Sequence, residues 1–114
     1  MHELSVTKSL IDIIDSECRE NRITPKKIIA ELGTLTSFKP DPIIFYYDIL
    51  KKENSLLRDS ILVIESVQGK IKCNECKKES MLEDNIMIFC PKCKSSDVEI
   101  ISGRDFKLKE VIGK

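Results

Sequence analysis

The sequence contains a single histidine, four glycines and no surplus of charge of either sign in its 114 residues. The lone imidazole is His2, at the terminus, so the interior has no histidine for acid–base catalysis. No glycine-rich phosphate loop occurs, which removes a second route to enzymatic chemistry. Lysines and arginines number 19 and so do aspartates and glutamates. That balance argues against a general nucleic-acid binder, whose affinity comes from excess basic charge, although a local basic patch remains open. No apolar run approaches the roughly 20 residues of a membrane span. The start, Met1-His2-Glu3-Leu4-Ser5, lacks the basic and apolar regions of a secretion signal. The expectation is a cytoplasmic protein, in which thiols stay reduced. There is no internal repeat and no low-complexity segment.

What is present reads as an ordinary globular chain, 41% apolar and 33% charged. Its length suits one domain, or one domain with a small appendage. A chain of this size buries roughly 65% of its unfolded surface, enough for one modest core without disulfides. Val6, Leu10, Ile13, Ile14 and Cys18 recur near helical spacing, predicting an amphipathic helix over 4–20 that ends near Asn21, with Pro25 beyond. Cys18 on that stripe reads as a core residue. Lys27 to Leu32 is a short strand punctuated by Gly33. A second helix follows Lys39-Pro40, with Asp41 as N-cap, Pro42 at the first helical position, and Ile43, Ile44, Tyr47 and Leu50 buried. Asp41 could also reach a metal, but the cap explains it more simply; Tyr46 and Tyr47 read as packing. Asn54 supplies a left-handed residue after the Lys51-Lys52 end. Residues 60–67 form another strand, and 98–101 and 106–109 two more, joined by a turn at 102–105. The predicted class is α+β: two helices on one face of a small mixed β-sheet, with an inserted zinc-ribbon-like module.

That module is the strongest signal. Cys73 and Cys76, then Cys90 and Cys93, form two C-x2-C pairs separated by 13 residues. Each pair turns two sulfurs inward on a tight knuckle, and two facing knuckles complete a tetrahedron. Zinc suits four thiolates because its filled d shell imposes no geometry of its own. A redox pair needs no second C-x2-C, and a disulfide is disfavoured by compartment. Rubredoxin-like iron uses the same thiolates, but such sites usually carry glycine after each second cysteine, where this chain has Lys77 and Lys94. Four thiolates leave no open position, so the ion is structural. Between the knuckles, Met81, Leu82, Ile86, Met87, Ile88 and Phe89 are the only apolar material, too little to fold without metal. Lys70, Lys72, Lys77, Lys78, Lys92 and Lys94 surround the site and offset the −2 charge of a zinc tetrathiolate; this reading is preferred to nucleic-acid contact.

By position alone His2 is a frayed terminal residue. Coordination chemistry offers a sharper reading. The Met1 amine and the His2 backbone nitrogen close a five-membered chelate, and the His2 Nδ1 closes a six-membered ring with the same nitrogen. A further nitrogen or oxygen of Glu3 completes a square plane, a geometry that suits Ni(II) and Cu(II).

Met1-His2-Glu3-Leu4-Ser5, Glu31-Leu32-Gly33 after a strand, Phe45 in the second helix, the paired C-x2-C motifs and Val98-Glu99-Ile100-Ile101-Ser102-Gly103-Arg104 together resemble the HypA/HybF family. The order is unbroken across the chain. The resemblance implies a nickel metallochaperone for NiFe-hydrogenase maturation, with nickel as transient cargo on Met1 (amine), His2 and Glu3, and zinc on Cys73, Cys76, Cys90 and Cys93. It implies a nickel-handling maturation GTPase and the hydrogenase large-subunit precursor as partners, and in some members urease maturation proteins; no membrane and no nucleic acid enter. Lys77 and Lys94 depart from the family's glycines, and the histidines that several relatives carry beside the zinc cysteines are absent, which puts histidine-based switching at the zinc in doubt. Residues 1–70, completed by strands within 98–114, are expected to form the nickel-binding domain, and 71–97 the zinc module. The rival reading is a zinc-ribbon accessory protein that binds nucleic acid or a polymerase.

Overall fold

The computed structural model describes residues 2–82 and 87–114. The chain forms two compact units. One comprises the chain up to Glu31, Phe38–Glu65 and Lys107–Lys114; the other comprises Leu32–Ser37 and Ser66–Phe106. Among the described residues no helix is long and apolar enough to cross a membrane.

In the first unit, helix α1 (His2–Asn21) buries Thr7, Leu10, Ile14 and Cys18, spaced three and four apart as an amphipathic helix requires. Ile13, expected on that stripe, is 52% exposed, and Thr7 takes the inward place instead. Its hydroxyl is satisfied by donating to the Glu3 carbonyl one turn back. The helix ends in a Schellman motif: Ile23 N donates to Cys18 O and Arg22 N to Arg19 O, with Arg22 left-handed at φ 55°.

Strand β1 (Pro25–Gly33) follows, and Ile28, Ile29 and Ala30 are buried in succession. Burial on both faces suits a central strand, and β1 lies between β2 (Ile61–Val67) and the final strand, Phe106–Gly113. Helix α2 (Pro40–Leu50) buries Ile43 and Tyr47 and runs into a 3₁₀ turn, Lys51–Glu53. The Tyr47 hydroxyl shares a buried hydrogen bond with Ser60, so Tyr47 is a packing residue.

Two expectations are corrected here. Lys39, not Asp41, is the N-cap of α2, and Pro40 rather than Pro42 opens the helix. Both prolines fit a first turn, so the sequence offers two starts two residues apart. Asn54 is extended, at φ −113°, rather than left-handed. Its side chain does the local work: Oδ1 accepts from Leu56 N and Leu57 N, and Nδ2 donates to Asp15 Oδ1 at 3.1 Å. That bond sets Asp15 of α1 beside the turn that follows α2, and one from Lys39 N to Glu3 sets the start of α1 beside the start of α2, so the helices run in the same direction.

The second unit is built on β3 (Gly69–Cys73), β4 (Glu79–Leu82) and β5 (Val98–Ser102), an antiparallel sheet in the order β4-β3-β5. Numbered in chain order, Phe106–Gly113 is β6. The α+β class with two helices therefore holds, its strands divided between two three-stranded sheets. Leu35, Ile71 and Leu82 form a small core, with Ile88, Val98 and Ile100 packed against it.

Gly33 lies against Gly103, itself at φ 87°; Leu35 N donates to Gly103 O and Gly33 N to Asp105 O. A Cβ on Gly33 would stand 2.0 Å from the Gly103 carbonyl oxygen. Backbone cannot yield there as a side chain can, so Gly33→Ala should cost about 3 kcal/mol. Chemical denaturation of the metal-loaded protein measures it; an unshifted midpoint would refute the close approach.

Candidate metal centres

The four cysteines converge as their spacing predicts. Their sulfurs all lie within 4.8 Å of one another, in an order of burial that leaves Cys73 and Cys90 enclosed and Cys93 exposed. Cys73 and Cys93 Sγ are 3.5 Å apart, and Cys76 and Cys90 Sγ 3.7 Å. A tetrahedron with metal–sulfur bonds of about 2.3 Å has sulfur–sulfur edges of about 3.8 Å, so the donor set fits one tetrahedral ion.

The two knuckles repeat one another bond for bond. Lys77 N donates to Cys73 O at 3.0 Å, and Lys94 N to Cys90 O at 2.8 Å. Cys73 N donates to Lys78 O, and Cys90 N to Ser95 O. Within each, the second cysteine's amide points at the first cysteine's sulfur: Cys76 N to Cys73 Sγ at 3.4 Å, Cys93 N to Cys90 Sγ at 3.5 Å. Lys77 and Lys94 adopt φ of 64° and 67°, the left-handed turn that glycine otherwise fills. The departure from glycine thus leaves the knuckle geometry intact at some backbone cost. Asn74 braces the first knuckle by donating twice to Asp97, from its backbone N to the Asp97 carbonyl and from Nδ2 to the Asp97 carboxylate.

The amides acidify the first sulfur of each pair. The Cys93 N–H draws the Cys90 thiol down to about 6, and the Cys76 N–H lowers that of Cys73. Cys93 is pushed up to about 12: the Ser95 amide pulls it down, but the crowding sulfurs of Cys73, Cys90 and Cys76 and desolvation outweigh that pull. Four thiolates at this separation repel, so protons remain shared among them until a cation displaces them.

Among the described residues, three of the six surrounding lysines have a partner. Lys70 pairs with Glu79 at 2.9 Å, Lys92 Nζ donates to Glu79 O, and Lys94 Nζ lies 5.4 Å from the Phe89 ring centroid. Cys18, the fifth cysteine, is a separate, buried thiol on α1, raised above its usual range by desolvation.

At the other candidate centre, the Met1 amine and the His2 side chain lie outside the described residues. Residue 2 opens α1, and Glu3 is in its first turn. The Glu3 carboxylate accepts the Lys39 amide at 3.2 Å. Its own amide and that of Lys39 hold it below the usual carboxylate range. Sequence reasoning did not find Lys39, because its contribution is a backbone N–H rather than a side chain. Asp41 is exposed in the first turn of α2.

A family model described as hydrogenase/urease nickel incorporation, metallochaperone, hypA matches residues 1–112. The chain is 35% identical over 112 residues to the hydrogenase maturation factor HypA of Aquifex aeolicus, covering 97% of this chain and 96% of that one. It is 32% identical to the factor of the same name from Campylobacter jejuni, with both chains covered in full. The solution structure of the Ni metallochaperone HypA from Helicobacter pylori matches with a TM-score of 0.73 at 20% identity, over 97% of this chain and 96% of that one. A second solution structure, of a HypA protein, gives 0.74 at 22% identity, over all of this chain and 97% of the other. At those identities the two structures speak for the fold.

Proposed function

The chain belongs to the HypA family of nickel-incorporation metallochaperones for hydrogenase and urease, carriers rather than enzymes, and from that premise we propose that it captures Ni(II) at its N-terminus and delivers it to the NiFe-hydrogenase large subunit. The ligands in this reading are the Met1 amine, His2 and a nitrogen or oxygen of Glu3. Cys73, Cys76, Cys90 and Cys93 hold a structural zinc ion, and their mutual spacing supports that assignment. The observation that carries the reading is the extent of the family match, from residue 1 to residue 112, which takes in both Met1-His2-Glu3 and the four cysteines. A nickel-handling GTPase and the hydrogenase precursor are the proposed partners, with urease maturation proteins as further recipients and the cytoplasm as the place.

The two centres should answer differently to acid. Nickel at the terminus needs a neutral imidazole and a neutral amine, whose ordinary pKa values are about 6.5 and 7.7. Both are protonated increasingly as pH falls, so protons displace nickel. Nickel affinity should fall steeply between about pH 7.5 and 6. The zinc should stay in place across that window, because the ion itself holds its thiolates deprotonated. Isothermal titration of untagged protein at several pH values measures the first, and metal analysis after dialysis the second. A flat nickel affinity over the range would point to carboxylate ligands and away from the terminus.

A further inference from the structure

Helix α2 is capped from another helix. Its N-cap, Lys39, is extended at φ −111° and ψ 141°, and no side chain of its own segment caps it. In a self-contained capping box a Glu or Gln three residues on accepts the N-cap amide. Here that position is Pro42, which has no acceptor on its side chain. The Lys39 amide donates instead to Glu3 Oε2, at 3.2 Å and 36 residues earlier in the chain. The positive end of α2 favours a carboxylate at this place. Glu3 is also held through its main chain, where its carbonyl accepts the hydroxyl of the fully buried Thr7. The residue next to His2 is therefore fixed at both its side chain and its backbone.

An unanchored terminus frays. A chelate formed by such a terminus loses affinity, because amine and imidazole must be ordered at the moment of binding. We propose that the Glu3 carboxylate is a positioning group for nickel capture: it ties the first turn of α1 to the N-cap of α2 and is not itself the group through which Glu3 ligates nickel. This rests on the N-terminal nickel reading and specifies which group of Glu3 serves it.

The test compares full-length untagged parent, Glu3→Gln and Glu3→Ala, with two readouts. The first is the exchange rate of the Lys39 amide in nickel-free, zinc-loaded protein. The second is a nickel titration that follows the d–d absorption band. Glutamine keeps an acceptor oxygen, so Lys39 should stay protected and nickel affinity should remain within about threefold of the parent. Alanine should speed Lys39 exchange by about tenfold and weaken nickel about fivefold, with the band unmoved because the ligands are the same. A Glu3→Gln loss equal to that of Glu3→Ala, with the band shifted in both, would make the carboxylate a ligand and overturn the proposal. Unchanged Lys39 exchange in Glu3→Ala would overturn it too. Should the alanine variant misfold, the glutamine arm decides alone: retained affinity and band support positioning, and a shifted band refutes it. Failure of the underlying reading has its own signature, nickel binding undiminished by His2→Ala, while the exchange data still report whether the tie exists.

Discussion

Cys90→Ser should leave the protein without its tightly held metal and unfold most of the second unit. Three buried apolar residues, Leu35, Ile71 and Leu82, are the centre of that unit's core. So small a core offsets little of the backbone entropy lost when the unit is ordered. Metal in a tetrathiolate site contributes on the order of 10 kcal/mol, which makes it the main support of the segment. Cys73→Ser should behave alike, since each serine removes one thiolate and breaks one of two matching knuckles. Metal content should fall from one ion per chain to near none, and the amides of β3 and β4 should lose exchange protection. Helices α1 and α2 should keep their circular dichroism, because Leu10, Ile14, Ile43 and Tyr47 are buried in the first unit. Retained metal with protected β3 amides would refute the assignment. Parent protein that is red, with a thiolate–iron absorption band, would make the ion iron instead of zinc.

His2→Ala should lower nickel affinity at least tenfold, equivalent to about 1.4 kcal/mol of lost coordination. The imidazole is the only one in the chain, so no neighbour can replace it. Stability should be unaffected, because residue 2 precedes Thr7, Leu10, Ile14 and Cys18, the buried face of α1. Zinc content and circular dichroism should match the parent, which separates loss of a ligand from loss of fold. Equal nickel binding by the variant would place the site elsewhere.

The parts of this molecule that were legible in its sequence are those with short-range rules. Two C-x2-C pairs give a tetrahedral site because each knuckle is a local turn, and the sulfurs meet as expected. The stripe on α1 and the run around Ile28 give a helix and a strand through periodicity and β-branching. Strands β3 and β4 were not foreseen. Their sequences, Gly-Lys-Ile-Lys-Cys and Glu-Ser-Met-Leu, are too short and polar to signal a strand, and they exist by pairing with each other in register, Ile71 opposite Ser80. The left-handed Lys77 and Lys94 show tertiary and metal-site geometry overriding a residue preference for glycine. The start of α2 was misplaced because Pro40 and Pro42 both suit a first turn and the amide that settles it is answered by Glu3, far away in sequence. Long-range backbone partners of that kind leave no local trace.

The central claim is that the free terminus is the nickel site, and its most direct test is to add one residue before Met1 and titrate nickel into that protein and its parent side by side. The extension leaves His2, Glu3 and every buried side chain in place, but it moves the terminal amine out of the five-membered ring with the His2 nitrogen. The account predicts at least a tenfold loss of nickel affinity, about 1.4 kcal/mol, with zinc content and circular dichroism unchanged. Nickel bound as tightly by the extended chain as by the parent would contradict it, because the amine would then not be a ligand.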